Sequence, residues 1–154
     1  MDNFSEETVC KIWQRVQQSH TPPSERPDLC AMAQRELSTA AIYDILARRI
    51  PGSSGRQLGE FARRERSHAA SIKGICVVTY GKCPPIPITA PGNAATPVLL
   101  RRCYGLKQQA VAQYEKLSEN PDYGSIFRQL GEEEHRQLIF LLQLLGSLEQ
   151  RRKR

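Results

Sequence analysis

Four helix-length segments, joined by a short, a long and a short connection, constrain the fold of this chain more than any other feature. In each segment apolar residues recur three and four residues apart, which is the period of an α-helix with one buried face. The segments run from about residue 28 to 50, 54 to 79, 96 to 119, and 122 to the basic C-terminal tail. This pattern predicts an all-α protein.

Residues that begin or end helices lie at the edges of these segments. Asp28 is suited to cap the first segment, and Pro51 with Gly52 stops it. Thr96 and Pro97 are typical of an N-cap followed by a proline at the first helical position. The segment boundaries therefore agree with the apolar periodicity.

The lengths of the connections predict how the helices are arranged. The first connection has about five residues and the third is a tight turn at residues 120–122, so each joins antiparallel neighbours. The middle connection, residues 81–95, is rich in proline and can span roughly 50 Å. A helix of 25 residues is only about 37 Å long. The sequence therefore predicts a four-helix bundle in which the second connection crosses the whole length.

Two copies of the pattern Glu-x-x-His lie on the predicted buried faces of the second and fourth segments. One copy is Glu65 with His68, and the other is Glu132 with His135. Glu36 lies on the predicted buried face of the first segment. Buried charges are costly unless they are paired or bind a metal. We expect these side chains to converge at the bundle centre, where carboxylates and imidazoles suit iron, manganese or zinc.

At this level the chain resembles the ferritin-like superfamily, in particular its rubrerythrin-type di-iron branch. The resemblance covers roughly residues 28–148 and rests on the two Glu-x-x-His pairs and on Glu36. It implies a centre of one or two iron or manganese ions and peroxide- or oxygen-linked redox activity. An external protein would donate the electrons, because the usual iron–sulfur domain is absent. The implied metal ligands are Glu36, Glu65, His68, Glu132 and His135.

Lys107 departs from the family pattern, because the third helix should provide a further carboxylate at this position. Three carboxylates and one ammonium sum to a charge of −2, which suits one divalent ion. In one interpretation Lys107 lies beside the metal site and donates a proton or hydrogen bond to a bound peroxide. In the other, Lys107 pairs with Glu36 or Glu132, and the chain is a non-enzymatic interaction module without a metal or with a single ion.

Some of the other residues near the motifs are predicted to be exposed to solvent, and others have two possible roles. Glu133 and Glu134 are predicted to lie on a solvated face. Tyr43 and Tyr114 either fill the core or contact the site, and Cys103 is either a small buried residue or a soft ligand.

Composition limits the remaining function classes. The chain has 154 residues, of which 40% are hydrophobic, so it fits one compact domain. The formal charge of +6 comes with no nucleic-acid motif, and no apolar run approaches the ~20 residues of a membrane span. Five scattered cysteines without a Cys-x-x-Cys pattern, and no visible signal peptide, predict reduced thiols and a cytoplasmic location.

We divide the chain into three parts and expect it to form a homodimer. Residues 1–27 are predicted to form a short amphipathic helix and a loop, residues 28–148 the bundle, and residues 149–154 a basic tail. The apolar face of the N-terminal helix is predicted to pack on the bundle. Docking of a second subunit or of a membrane surface is the alternative.

Overall fold

The computed structural model describes residues 28–154, and this part of the chain folds into α-helices without a strand. The helices are α1 (Leu29–Arg49), α2 (Gly52–Tyr80), α3 (Thr96–Leu117) and α4 (Gly124–Arg152). The predicted all-α class is thereby confirmed. The predicted N-terminal helix lies in residues 1–27, outside the described residues.

Local sequence explains where the helices begin and end. Asp28 caps α1, because its Oδ1 accepts a hydrogen bond at 2.9 Å from a backbone N–H of the first turn. Gly81 ends α2 with a φ of 78°, a left-handed conformation that favours glycine. The cap of α3 is Ala95, one residue before the predicted Thr96, and Pro97 lies in the first turn.

The helices pair as two antiparallel hairpins, α1 with α2 and α3 with α4. α1 also packs against α3, and these two helices are antiparallel. At one end of the bundle, Leu29 and Tyr114 share an apolar cluster. At the other end, Leu46 and Leu99 share a second one. The buried polar residues occupy the space between these two apolar clusters.

The connection between α2 and α3, residues 81–95, runs along α1. The Pro87 carbonyl accepts a hydrogen bond at 3.1 Å from Gln34 Nε2, near the start of α1. The Ala94 carbonyl accepts one at 2.7 Å from Arg49 Nη1, at the last residue of α1. The Pro-rich connection therefore returns the chain along the bundle before α3 begins.

The buried face of α4 differs from the predicted one. Glu132 and His135 are exposed, and so are Ile139 (45%) and Leu142 (57%), which continue the same helix face at apolar spacing. The residues that face inward are Phe127, Leu130, Glu134, Gln137 and Leu141. Two residues along a helix correspond to about 200° of rotation. The predicted face of α4 is therefore turned towards solvent.

The basic end of the chain belongs mostly to α4. This helix continues through Arg152, so residues 149–152 are its exposed last turn rather than part of a separate tail. Cationic side chains at this position suit the negative end of the helix dipole. Among the helices of residues 28–154, none combines the length and the apolar character needed to cross a bilayer.

Candidate metal centre

Six buried polar side chains from all four helices meet midway between the two apolar clusters. We call them the core polar cluster, and each exposes at most 2% of its surface. Burying so many ionisable groups is costly unless they compensate one another or bind a cation. The members are Glu36 from α1, Glu65 and His68 from α2, Lys107 from α3, and Glu134 and Gln137 from α4.

Four of the predicted site residues lie in the core polar cluster, namely Glu36, Glu65, His68 and Lys107. The prediction that Glu132 and His135 face inward is wrong, since both line a surface pocket beside α3. Their places are taken by Glu134 and Gln137, which keep the spacing of three residues but replace the histidine by an amide. The site therefore contains one buried Glu-x-x-His pair, on α2.

The Lys107 ammonium lies among three carboxylates. Its Nζ donates hydrogen bonds to Glu65 Oε2 and, at 2.6 Å, to Glu134 Oε2, and it lies 3.6 Å from Glu36 Oε2. Burial favours the neutral amine, but these carboxylates outweigh it and raise the pKa of Lys107 above its ordinary value. Lys107 is therefore a charged ammonium that partly compensates the carboxylates.

The His68 ring contacts carboxylates through both nitrogens. Nδ1 lies 2.7 Å from Glu134 Oε1, 3.6 Å from Glu36 Oε2 and 3.8 Å from Glu65 Oε1. Nε2 lies 2.8 Å from Oε2 of Glu133, which is half-buried. Burial lowers the pKa of His68, but the hydrogen bond with Glu134 and the nearby Glu36 carboxylate outweigh this and raise the pKa to about 10. Without a metal, His68 is an imidazolium near neutral pH.

Two tyrosines and an amide hold the carboxylates in place. The Tyr114 hydroxyl donates a hydrogen bond to Glu36 Oε1 at 2.5 Å. Gln137 Nε2 donates to Glu65 Oε1 at 2.7 Å, and Gln137 Oε1 accepts from the Tyr43 hydroxyl at 2.9 Å. Both tyrosines are fully buried. They therefore fill the core and also orient the site.

The carboxylates in the cluster have opposite tendencies to ionise. Burial opposes ionisation of Glu36, but the Lys107 charge, the nearby His68 ring and the hydrogen bond from Tyr114 hold its pKa well below the usual range. Burial raises the pKa of Glu65, and the neighbouring Glu36 and Glu134 charges add to this against the attraction of Lys107. Of Glu36 and Glu65, it is therefore Glu65 that takes up a proton more readily.

The carboxylate oxygens surround two cation positions. Glu65 and Glu134 each direct Oε2 to Lys107 Nζ, and their Oε1 atoms lie within 3.8 Å of His68 Nδ1. The first position holds the ammonium. One ligand atom from each of Glu36, Glu65, His68 and Glu134 borders the second, and these atoms all lie within 4.8 Å of one another. Glu36 Oε2 has no hydrogen-bond partner, as expected for an oxygen available to a cation.

The second position fits one divalent ion. Three carboxylates and the Lys107 ammonium carry a charge of −2 when all three carboxylates are ionised and His68 is neutral. Glu133 at Nε2 is the outer carboxylate that commonly orients a metal-binding histidine and leaves its other nitrogen free to ligate. A second ion does not fit this donor set, because Lys107 Nζ already lies at hydrogen-bonding distance from two of the three carboxylates.

A surface pocket of ≈ 470 Å³ between α2 and α4 borders the core polar cluster at Gln137. Glu133 and Gln137 form part of its wall, and Arg64 and Arg136 also line it. Gln137 is hydrogen-bonded to Glu65, so only the Gln137 side chain lies between a small molecule in the pocket and the Glu65 carboxylate. The guanidinium groups of Arg64 and Arg136 favour the binding of anionic or polar molecules in this pocket.

The sequence prediction missed Glu133, Glu134 and Gln137. Their role could have been found from the apolar spacing, because Glu134 stands seven residues after Phe127 and seven before Leu141. A spacing of seven places residues on nearly the same face of a helix. The second Glu-x-x-His pattern lies two residues away from this face, on the exposed side of α4.

Comparison with models of protein families gave no match, and no match was found among characterised proteins or among solved structures. Function has therefore to be inferred from the core polar cluster itself.

Proposed function

We propose that this chain is a ferritin-like metal-binding protein that holds one divalent transition-metal ion, iron or manganese. The ligands are Glu36, Glu65, His68 and Glu134. The observation that carries the proposal is the orientation of His68, with Nδ1 among three carboxylates and Nε2 on Glu133.

The donor set favours iron or manganese. Three carboxylates and one imidazole form an oxygen-rich set with a single nitrogen, which suits these ions better than softer ones. A redox-active ion held there would supply electron transfer towards peroxide or oxygen. Electrons would come from a separate donor protein, and a small oxidant would enter through the pocket at Glu133 and Gln137.

The protein's own residues keep the site dry and ordered. Tyr114 fixes Glu36, and the pair Tyr43 and Gln137 fixes Glu65. The apolar clusters at both ends of the bundle exclude water from the carboxylates. Lys107 takes the place of a second cation. Its role as a proton donor to peroxide stays a prediction, since its ammonium is already bonded to Glu65 and Glu134.

A metal-free helical module is the second candidate function. One observation favours it: His68 and Lys107 together give the carboxylates two cationic partners without any ion. In that case the cluster fixes the packing of the four helices, and the protein acts by binding a partner rather than by redox chemistry.

Titration of the chelator-treated, full-length protein with Mn²⁺ by calorimetry tests the proposal. Mn²⁺ prefers oxygen ligands, so it reports on this site rather than on thiols. We expect about one equivalent to bind to the wild type and affinity to fall at least tenfold in His68→Gln. The matched control is His135→Gln, the exposed histidine of the other motif copy, which should bind like the wild type.

The result that would overturn the proposal is absence of Mn²⁺ binding to the folded wild type, or an equal loss in the two histidine variants. Circular dichroism establishes that each variant is helical. A thermal unfolding temperature that does not change when Mn²⁺ is added would favour the metal-free module.

A further inference from the structure

Three cysteines from separate elements meet at the end of the bundle where α1 begins and α2 ends. Cys30 lies in the first turn of α1, Cys76 in the last turns of α2, and Cys83 in the connection that follows. Their sulfur atoms all lie within 4.8 Å of one another. In the sequence these residues are scattered, so only the fold brings them together. We call them the thiol cluster.

The turn after α2 builds the thiol cluster. Gly81 ends the helix in the left-handed conformation, and the Cys76 thiol then contacts the Lys82 carbonyl oxygen at 3.6 Å. This reversal brings Cys83 back towards Cys76 and the start of α1. Cys76 is only 3% exposed and packs in the apolar cluster at this end, whereas the other two thiols are half-buried.

The thiol cluster is accessible and separate from the core polar cluster. A surface pocket of ≈ 290 Å³ is lined by Cys30, Cys76, Lys82 and Pro84 among others, so the cluster borders a space that is open to solvent. Cys76 follows His68 by eight residues on the same helix, which corresponds to about 12 Å. A ligand at the thiols therefore does not compete for the carboxylates.

We propose that Cys30, Cys76 and Cys83 bind a thiophilic cation of the Zn²⁺ class. Zn²⁺ binds cysteine sulfur at about 2.3 Å, so three sulfur ligands lie roughly 3.8 Å apart around one tetrahedral ion. The three sulfur atoms lie within 4.8 Å of one another, so no separation exceeds the roughly 3.8 Å of this arrangement by more than about 1 Å. The pocket beside Cys30 and Cys76 would admit water as a fourth ligand. A disulfide would use only two of the three thiols and require a sulfur–sulfur distance of about 2.05 Å.

The bound ion would fasten the start of the crossover to the ends of α1 and α2. Without it, burial and the neighbouring Cys83 and Cys30 thiols raise the pKa of Cys76 to about 12, so this thiol is protonated. Metal binding to such a cluster releases protons, because the ligand is the thiolate.

Titration of the reduced, full-length protein with Cd²⁺ tests this site. Cadmium bound to thiolate gives an ultraviolet charge-transfer absorption that carboxylate ligands do not produce. We expect this absorption to saturate at about one equivalent. Cys83→Ser and Cys30→Ser should each lower the affinity at least tenfold and reduce the intensity per bound ion. Both positions are half-buried, so these replacements leave the helical core intact.

Two controls separate the thiol cluster from other binding. Cys103→Ala removes a buried thiol of the opposite apolar cluster and should leave the absorption unchanged. His68→Gln should leave it unchanged as well, which makes the outcome independent of the Mn²⁺ experiment. Absence of the absorption at one equivalent, or an unchanged titration of Cys83→Ser, would overturn the proposal.

Discussion

His68 Nε2 lies 2.8 Å from Glu133 Oε2, on the side of the ring that faces away from the three buried carboxylates. Glu133 and Glu134 are neighbours in the chain, yet they contact opposite nitrogens of the same imidazole. When Nε2 donates its hydrogen to Glu133, Nδ1 is left as the acceptor or metal ligand. The half-buried Glu133 therefore decides which ring nitrogen is available to the site.

Replacing Glu133 by glutamine should weaken metal binding without unfolding the protein. Loss of an outer-shell carboxylate typically reduces metal affinity about 10- to 100-fold. Calorimetric titration of Glu133→Gln with Mn²⁺ measures this loss. Glu132→Gln is the matched control, because Glu132 is the preceding residue but is exposed. Equal affinities of the two variants would show that Glu133 has no part in the site.

Replacing Lys107 by methionine should strongly destabilise the metal-free protein. The change removes the ammonium and leaves carboxylates buried with less compensation. Breaking a buried ion pair on one side costs about 3–5 kcal/mol. Urea unfolding in the presence of a chelator measures the free energy of unfolding. The control Lys116→Met, on the exposed side of α3, should change it by no more than about 0.5 kcal/mol.

Replacing Lys107 by glutamate should create a second metal position. The variant exchanges the ammonium for a carboxylate between Glu65 and Glu134, so the charge of the cluster favours two divalent ions instead of one. Mn²⁺ titration should then reach about two equivalents per chain, and folding should depend on the metal. A stoichiometry that stays at one in the folded variant would contradict the assignment of Lys107 to a cation position.

The stability of the metal-free protein should fall as pH rises above neutrality, in part because of His68. Its folded-state pKa of about 10 lies above the unfolded value of 6.5. A raised histidine pKa contributes stability that is complete below pH 6.5 and is lost as pH rises through about 10, at up to about 1.4 kcal/mol per pH unit. The difference in unfolding free energy between wild type and His68→Gln, measured in urea with chelator, should shrink over this window.

The same proton competes with the metal. Mn²⁺ affinity of the wild type should therefore increase with pH over this range, since the ion binds neutral imidazole. Two results would contradict the raised pKa of His68. One is a difference in unfolding free energy between wild type and His68→Gln that grows with pH, and the other is a Mn²⁺ affinity of the wild type that does not depend on pH.

Sequence patterns were sufficient to predict the four helices of the described residues and the buried faces of three of them. Glu36, Glu65 and Lys107 interrupt regular apolar spacings on α1, α2 and α3, and the structure buries all three. On α4 the spacing was ambiguous, because Ile139 and Leu142 continue one apolar face while Phe127 and Leu141 continue another. Periodicity alone does not rank two such faces.

Packing against α3 decides between the two faces of α4. The Phe127 ring packs against Tyr114 with their centroids 5.5 Å apart, which requires the face that also carries Glu134. The thiol cluster could not be predicted from the sequence, for a different reason. Cys83 reaches Cys76 and Cys30 only because the chain reverses at Gly81, and no spacing of cysteines records the direction of that turn.

The long connection along α1 has a consequence for how the buried charges are distributed along the chain. Everything before it supplies Glu36, Glu65 and His68, while everything after it supplies Lys107, Glu134 and Gln137. The first half has two buried carboxylates with only a histidine, and the Lys107 ammonium that compensates them comes from the second half. The core polar cluster therefore fixes how the two halves align, because only their correct register brings each charge to its partner.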